Sequence, residues 1–193
     1  PEVVCTGGPI IHQAKSNIGK AIALAMGHPL GIGNARHRYK NYEGLAEGAW
    51  NPAFRANIFD KVGYFDEDFI RNQDDEINYR INQAGGLIYL SQKIKIKYFV
   101  REKYKQLFNQ YLQYGFWRIP FLLKHKKPAS IRQIIPSIFF LICSLLFITG
   151  FYYKSLFLMI TLPLIYILVL WLVSLTMLLN EKVKVIKHFP LAI

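Results

Sequence analysis

Arg71-Asn72-Gln73-Asp74-Asp75-Glu76-Ile77-Asn78-Tyr79-Arg80 opens with three consecutive acids and continues with Ile77 and Ile81 four residues apart. That pattern predicts a helix over about 74–83, with its carboxylates in the first turn and an apolar stripe behind them. Turn-like Val62-Gly63-Tyr64-Phe65-Asp66-Glu67 precedes it, and Ala84-Gly85-Gly86 stops it before a strand at Leu87–Leu90. Free N–H groups and the dipole at a helix start favour ionised carboxylates, so Asp74, Asp75 and Glu76 offer a general base. Solvated acids at a helix start fit the same residues, with Arg71 and Arg80 neutralising them.

Outward from this helix the chain alternates strand and helix. Val3-Val4-Cys5 reads as a strand broken by Gly7-Gly8-Pro9. Ser16 or Asn17 caps a helix through Ile18, Ala21, Ile22, Leu24 and Ala25, ended by Gly27 and Pro29. Residues 27–52 show little periodicity and read as one long loop. A short helix is expected from Phe54 to Lys61. Ile94–Val100 alternates Lys93, Lys95 and Lys97 against Ile94 and Ile96, as a strand does.

Downstream the composition changes. The chain carries 24 Lys+Arg against 12 Asp+Glu, yet no charge falls between Arg132 and Lys154 or between Lys154 and Glu181. These runs of about 21 and 26 residues would extend roughly 31 and 39 Å as helix, against a hydrocarbon core of about 30 Å. Too few residues remain to bury two such helices inside a soluble core. Pro136 and Pro163 lie within the runs, which bilayer helices tolerate. Tyr152-Tyr153-Lys154-Ser155 is short enough to make the pair a hairpin. Lys124, Lys126, Lys127 and Arg132 before it, and Lys182, Lys184 and Lys187 after it, outweigh Lys154 at its tip. The positive-inside rule then puts both outer ends, and the N-terminal part, on the cytoplasmic side of the cell membrane. Juxtamembrane cations attract anionic lipid headgroups and account for the basic balance without nucleic acid.

Between these parts, residues 103–123 place Leu107, Phe108, Tyr111, Leu112, Tyr114, Phe116 and Trp117 at helical spacing beside a basic cluster. An amphipathic helix in the membrane interface is expected there. Gln113, Trp117 and Arg118 combine an amide, an aromatic face and a guanidinium, groups suited to sugar stacking and diphosphate binding. An aromatic belt with a headgroup-binding Arg uses the same residue types. Gly31-Ile32-Gly33-Asn34-Ala35-Arg36 lacks the third Gly and the Lys-Ser/Thr of a phosphate loop. Arg36, His37 and Arg38 suit an anionic substrate, although a solvated basic loop is the reading these residue types favour. His12, His28, His125 and His188 have no zinc spacing, and Cys5 and Cys143 read as small apolar residues.

Taken together, these segments resemble the inverting family 2 glycosyltransferases of GT-A fold, in particular the membrane-bound exopolysaccharide enzymes of the succinoglycan type. Phe54 to Glu67 is similar to the family's segment before its acidic motif. Asn72 to Ile81 is similar to its Glu-Asp-x-x-Leu or Thr-Glu-Asp element. Setting Ile77 on the Leu of that element implies Asp74 as catalytic base, with Gln73 in place of Glu; the adjacent Asp75 leaves the register open by one residue. Gln113 to Trp117 resembles a Gln-x-x-Arg-Trp motif in which Phe116 replaces the Arg and Arg118 follows.

The resemblance implies an α/β architecture: the C-terminal, acceptor-side half of a GT-A domain over 1–102. An interfacial helix and basic linker at 103–132, two transmembrane helices at 133–180 and a cytoplasmic tail at 181–193 follow. It implies a nucleotide-sugar donor, a lipid-linked or polysaccharide acceptor, contact with membrane lipids, and a divalent cation, Mg or Mn. The cation's ligands and the nucleotide-binding strands would precede Pro1, so this stretch alone would be inactive. A membrane-anchored, non-catalytic scaffold subunit derived from such an enzyme is the rival expectation. Two uncharged spans give too little pore for an export component.

Overall fold

A computed structural model describes residues 2–33, 35–128, 130 and 133–181. The chain forms two compact units, 1–129 and 130–193.

The first unit is mixed α/β. β1 (Val3–Gly7) lies at the centre of a four-stranded sheet, parallel to β5 (Leu87–Leu90) and antiparallel to β4 (Ala53–Phe54); β3 (Gly44–Ala46) adds antiparallel to β5. A second sheet pairs β2 (Ile10–Gln13) with β6 (Ile96–Phe99) in parallel, Ile10 opposite Ile96 and Gln13 opposite Phe99. The same two chain segments therefore pair twice, interrupted at Gly8. A Cβ at Gly8 would stand 1.7 Å from the Ile94 carbonyl oxygen, so only glycine lets the backbones approach there.

Val4, Cys5, Ile58, Ile77, Ile81, Ile88 and Leu90 form the core between the main sheet and α4 (Gln73–Gln83). Ile77 and Ile81, one helical turn apart, are fully buried, as the sequence spacing requires. Cys5 belongs to this core, and burial pushes its thiol up to about 12, as expected of a packing residue. A smaller cluster of Ile22, Met26 and Val100 seats α1 (Asn17–Gly27). Ser16 is the α1 N-cap, accepting from the Gly19 N–H at 2.9 Å. The Glu102 carboxylate, reaching from across the fold, accepts from the Lys15 and Ser16 N–H groups.

Four local expectations need correction. Residues 27–52 are not one loop: they contain α2 (Pro29–Ile32), a 3-10 turn at Arg36–Arg38 and β3. The helix expected from Phe54 starts later, as α3 (Ile58–Val62), because Phe54 pairs with Cys5 in β4. β2 is a strand that alternation did not reveal, since Ile10 and Ile11 are consecutive. The last strand is confined to 96–99.

α5 (Tyr104–His125) belongs to this first unit. Leu107 packs against the Ile22 cluster, and Gln110 and Phe121 are buried. The opposite side carries Phe108, Leu112, Phe116, Ile119 and Leu123, each more than half exposed, from 55% at Ile119 to 74% at Leu123. Their spacing of four, four, three and four residues makes one apolar stripe.

The second unit contains α6 (Ile135–Tyr152) and α7 (Leu156–Glu181), both long and apolar enough to cross a membrane, with almost none of either span buried. They pack as a hairpin around the turn Tyr153-Lys154-Ser155, where the Ser155 N–H donates to the Gly150 carbonyl at 2.8 Å. A Cβ at Gly150 would lie 2.5 Å from Met159 Cγ, so a small residue is needed where the helices meet. Phe139 and Tyr166 pack across the hairpin at 4.7 Å. Arg132 and the tail with Lys182, Lys184 and Lys187 lie outside the described residues.

Candidate active site

The three acids of α4 occupy three different environments. Glu76 is fully buried. Arg80, one turn on, donates to both of its oxygens at 2.7–3.0 Å. Lys124 Nζ is 2.7 Å and His125 Nε2 3.0 Å from its Oε1. Burial alone would raise this carboxyl, but Arg80 and Lys124, with His125, outweigh it and hold it below the ordinary range. Arg80 also donates to the carbonyls of Val62, Gly63 and Tyr64, and Lys124 reaches Asp66 at 2.6 Å. Tyr79, Phe121 and His125 pack their rings around the junction. Glu76 thus ties α4 to the 62–66 turn and to the C-terminal end of α5.

Asp75 is half-buried, 3.9 Å from Arg118 Nη2 on α5. Asp74 is half-buried as well, and its Oδ1 accepts the Asp75 N–H at 3.0 Å. Burial first, and the neighbouring Asp75 charge second, raise the Asp74 carboxyl; backbone N–H donors at Asp75 and Asp74, and last the Arg38 charge, pull it part of the way back. A carboxylate raised above its ordinary value is a stronger proton acceptor once ionised.

A circuit of contacts begins and ends on α4, on either side of Asp74. Asn72, in the left-handed region at φ 62° and N-terminal to the helix, donates to the Tyr114 carbonyl at 3.3 Å. Gln110 Nε2, one turn before Tyr114, donates to the Tyr114 hydroxyl at 2.7 Å and to the Tyr98 hydroxyl at 2.9 Å. Tyr98 meets the edges of Trp50 at 5.3 Å and His12 at 5.9 Å. The residue before Trp50, Ala49, accepts at its carbonyl from Asn78 Nδ2 at 3.4 Å, which returns the circuit to α4. Asn78 follows Asp74 by one helical turn and shares its face. His12 is held neutral, its imidazole lowered to about 4 by burial and by the Arg38 charge.

Of the residues singled out from sequence, Asp75 and Arg118 come together, and α5 lies across the start of α4 through Tyr114. Trp117 is half-buried, with Phe116 edge-on at 5.8 Å. Arg71 and Gln113 are exposed. His12, Arg38, Trp50, Tyr98 and Gln110 enter the site without a sequence motif. Among the described residues no group of three or more His, Cys, Asp or Glu stands together to hold a metal ion.

Over 140 residues the sequence is 34% identical to the succinoglycan biosynthesis protein ExoA of Rhizobium meliloti (strain 1021). The chain is a relative of that succinoglycan biosynthesis protein. The match takes in 70% of the chain and 42% of ExoA, so the matched part spans about two fifths of the length of this relative. The likeness fits the family 2 glycosyltransferase resemblance of the acidic and aromatic motifs. No protein-family model and no solved structure matches the chain.

Proposed function

We propose that the chain is the acceptor-side part of a membrane-bound inverting glycosyltransferase of GT-A architecture. It moves a sugar from a nucleotide-sugar to a lipid-linked or polysaccharide acceptor during exopolysaccharide synthesis. The observation that carries this reading is Asp74, a half-buried carboxylate raised by burial and by the neighbouring Asp75, on a helix whose start is tied to α5 through Asn72 and the Tyr114 carbonyl. The kinship with ExoA supports it.

In one displacement Asp74 takes the proton of an acceptor hydroxyl. The freed oxygen attacks the anomeric carbon, and the bond to the nucleotide diphosphate breaks with its electron pair. Glu76 is unsuited to this task because its oxygens already accept from Arg80, Lys124 and His125. Asp75 is engaged with Arg118, which leaves Asp74 as the base. Trp117, Gln113 and Arg118 would bind the donor or the acceptor, by ring stacking, amide hydrogen bonding and a guanidinium fork. A divalent cation would neutralise the leaving diphosphate, and the described residues do not supply its ligands. α6 and α7 cross the cell membrane as a hairpin with both outer ends cytoplasmic, and the apolar stripe of α5 lies in the lipid interface.

The test is a donor screen on membranes containing the complete protein, followed by analysis of the lipid-linked product. Transfer from one nucleotide-sugar with inversion at the anomeric carbon is expected. Retention of configuration, or no transfer from any donor, contradicts the reading.

A further inference from the structure

Asn72 stands where the cap of α4 should be and does not cap it. Asparagine is among the best N-cap residues, because with its backbone extended its side-chain oxygen accepts from an N–H of the first turn. Here the backbone is left-handed, at φ 62° and ψ 20°, and the side chain makes no cap bond. The Asn72 carbonyl still accepts the Glu76 N–H at 3.0 Å, the first bond of the helix. The Asp75 N–H goes to Asp74 Oδ1, also at 3.0 Å, so the base itself serves the first turn. Asparagine tolerates the left-handed region better than most residues, yet such a conformation persists only where the surroundings hold it.

What holds it is α5. The side-chain amide that leaves the cap free donates to the Tyr114 carbonyl at 3.3 Å, 42 residues away in the chain. Tyr114 is itself fixed, since its hydroxyl accepts from the buried Gln110, which also donates to Tyr98 on β6. Two more ties to α5 follow on the other side of the base: Asp75 lies 3.9 Å from Arg118, and Glu76 2.7 Å from Lys124. Among the described residues no hydrogen bond or ion pair joins Asp74 itself to that helix. The base is thus left unengaged by α5, in a turn that α5 holds before and after it. The Glu76 tie is a buried ion pair that matters to stability. The Asn72 tie is one neutral, half-buried hydrogen bond, of small worth to the fold and two residues from the base.

We propose that Asn72 is a positioning residue: through the Tyr114 carbonyl it sets the direction in which α4 begins and so aims the Asp74 carboxylate at the acceptor hydroxyl. This rests on the transfer reading, in which Asp74 is the base. Asn72 exchanges no proton and touches no substrate; it acts through the backbone that carries Asp74. A misplacement of about 1 Å at a reacting group costs up to about a hundredfold in rate, whereas one neutral hydrogen bond adds little to folding. Loss of the Asn72 amide therefore shows in turnover rather than in substrate affinity or in the unfolding midpoint.

The experiment uses the complete protein in lipid nanodiscs with Asn72→Gly and Asn72→Ala. Glycine keeps the left-handed backbone and removes only the amide; alanine removes both. Hydrogen exchange of the 73–77 amides, kcat with both KM values, and the pH dependence of kcat/KM are measured. Asn72→Gly is expected to speed exchange at 73–77 and to lower kcat about tenfold, with both KM values within about twofold. The acid limb of kcat/KM should move to lower pH, because a loosened turn lets water reach a carboxyl that burial raises. Asn72→Ala should lose at least as much, and the glycine variant decides the matter if the alanine variant does not fold. An unchanged kcat and limb in Asn72→Gly would overturn the proposal. So would a raised KM at constant kcat, which would put Asn72 on a substrate, or a lowered unfolding midpoint with the limb in place, which would make its role structural alone. Exchange is read without turnover. Faster exchange in a protein whose wild type transfers no sugar would refute the transfer reading and leave the Asn72 tie standing; unchanged exchange would refute the tie.

Discussion

Lys124 Nζ lies 2.7 Å from the carboxylate of Glu76, joining the last turn of α5 to the helix that carries Asp74 two residues earlier. The junction does structural work for the site. The same carboxylate takes Arg80, which gathers the carbonyls of the 62–64 turn, so one buried anion registers three segments.

Removing that anion should be costly. Glu76→Ala leaves the largely buried Arg80 without its counter-charge, and breaking a buried pair typically costs about 3–5 kcal/mol. Lys124 can turn toward water, which argues for the lower end, about 3 kcal/mol. Denaturant unfolding of the wild type and the variant in the same detergent measures the difference. A loss below about 1 kcal/mol would show that the junction is dispensable.

The pH dependence of stability follows from the same residue. The Glu76 carboxyl is held below its ordinary value of 4.5 in the folded protein. Its contribution is therefore fully present above about pH 4.5, where the unfolded chain is also ionised. It is lost as pH falls through the lower folded value. Glu76→Gln should flatten this acid limb of the unfolding midpoint against pH. An unchanged limb would assign acid sensitivity to other groups, among them Asp66 and Glu102, which are also lowered.

Asp74 has the opposite sign. Its folded value is raised above the ordinary 3.8, so the ionised form is disfavoured by the fold at neutral pH. Asp74→Asn should raise the melting temperature by a few degrees, as domains of this size shift about 2–8 °C per kcal/mol. The wild-type kcat/KM should rise with pH through an apparent value above 3.8 before levelling. A fall in melting temperature would indicate that Asp74 is held by contacts favouring its charge.

The outward stripe of α5 yields a test of membrane contact. A spin label at Phe116→Cys, in the complete protein in vesicles, should be open to oxygen and shielded from a water-soluble nickel chelate. A label at the exposed Glu67→Cys should show the reverse. Equal exposure of both sites to the chelate would place the stripe in water.

Much of the architecture is legible before any coordinates, and the reason differs by element. The two uncharged runs predict α6 and α7 because chain length and the absence of charge are local properties. The acidic helix is legible because its apolar stripe and its stop at Ala84–Gly86 lie within a dozen residues. The environments of its three acids are not. Glu76 becomes an interior anion only because Lys124 and His125 arrive from 48 and 49 residues away. The network around Gln110 has the same origin: His12, Tyr98 and Gln110 sit on three separate elements, and no local spacing announces that they meet. β2 is not legible because its partner lies at 96–99, a pairing that only the completed parallel sheet defines.

The most direct measurement is sugar transfer by the complete protein carrying Asp74→Asn, assayed beside nucleotide-sugar binding. The account predicts that transfer is abolished while donor affinity stays within about twofold of the wild type. Near-normal turnover in this variant would contradict the assignment of Asp74 as the base.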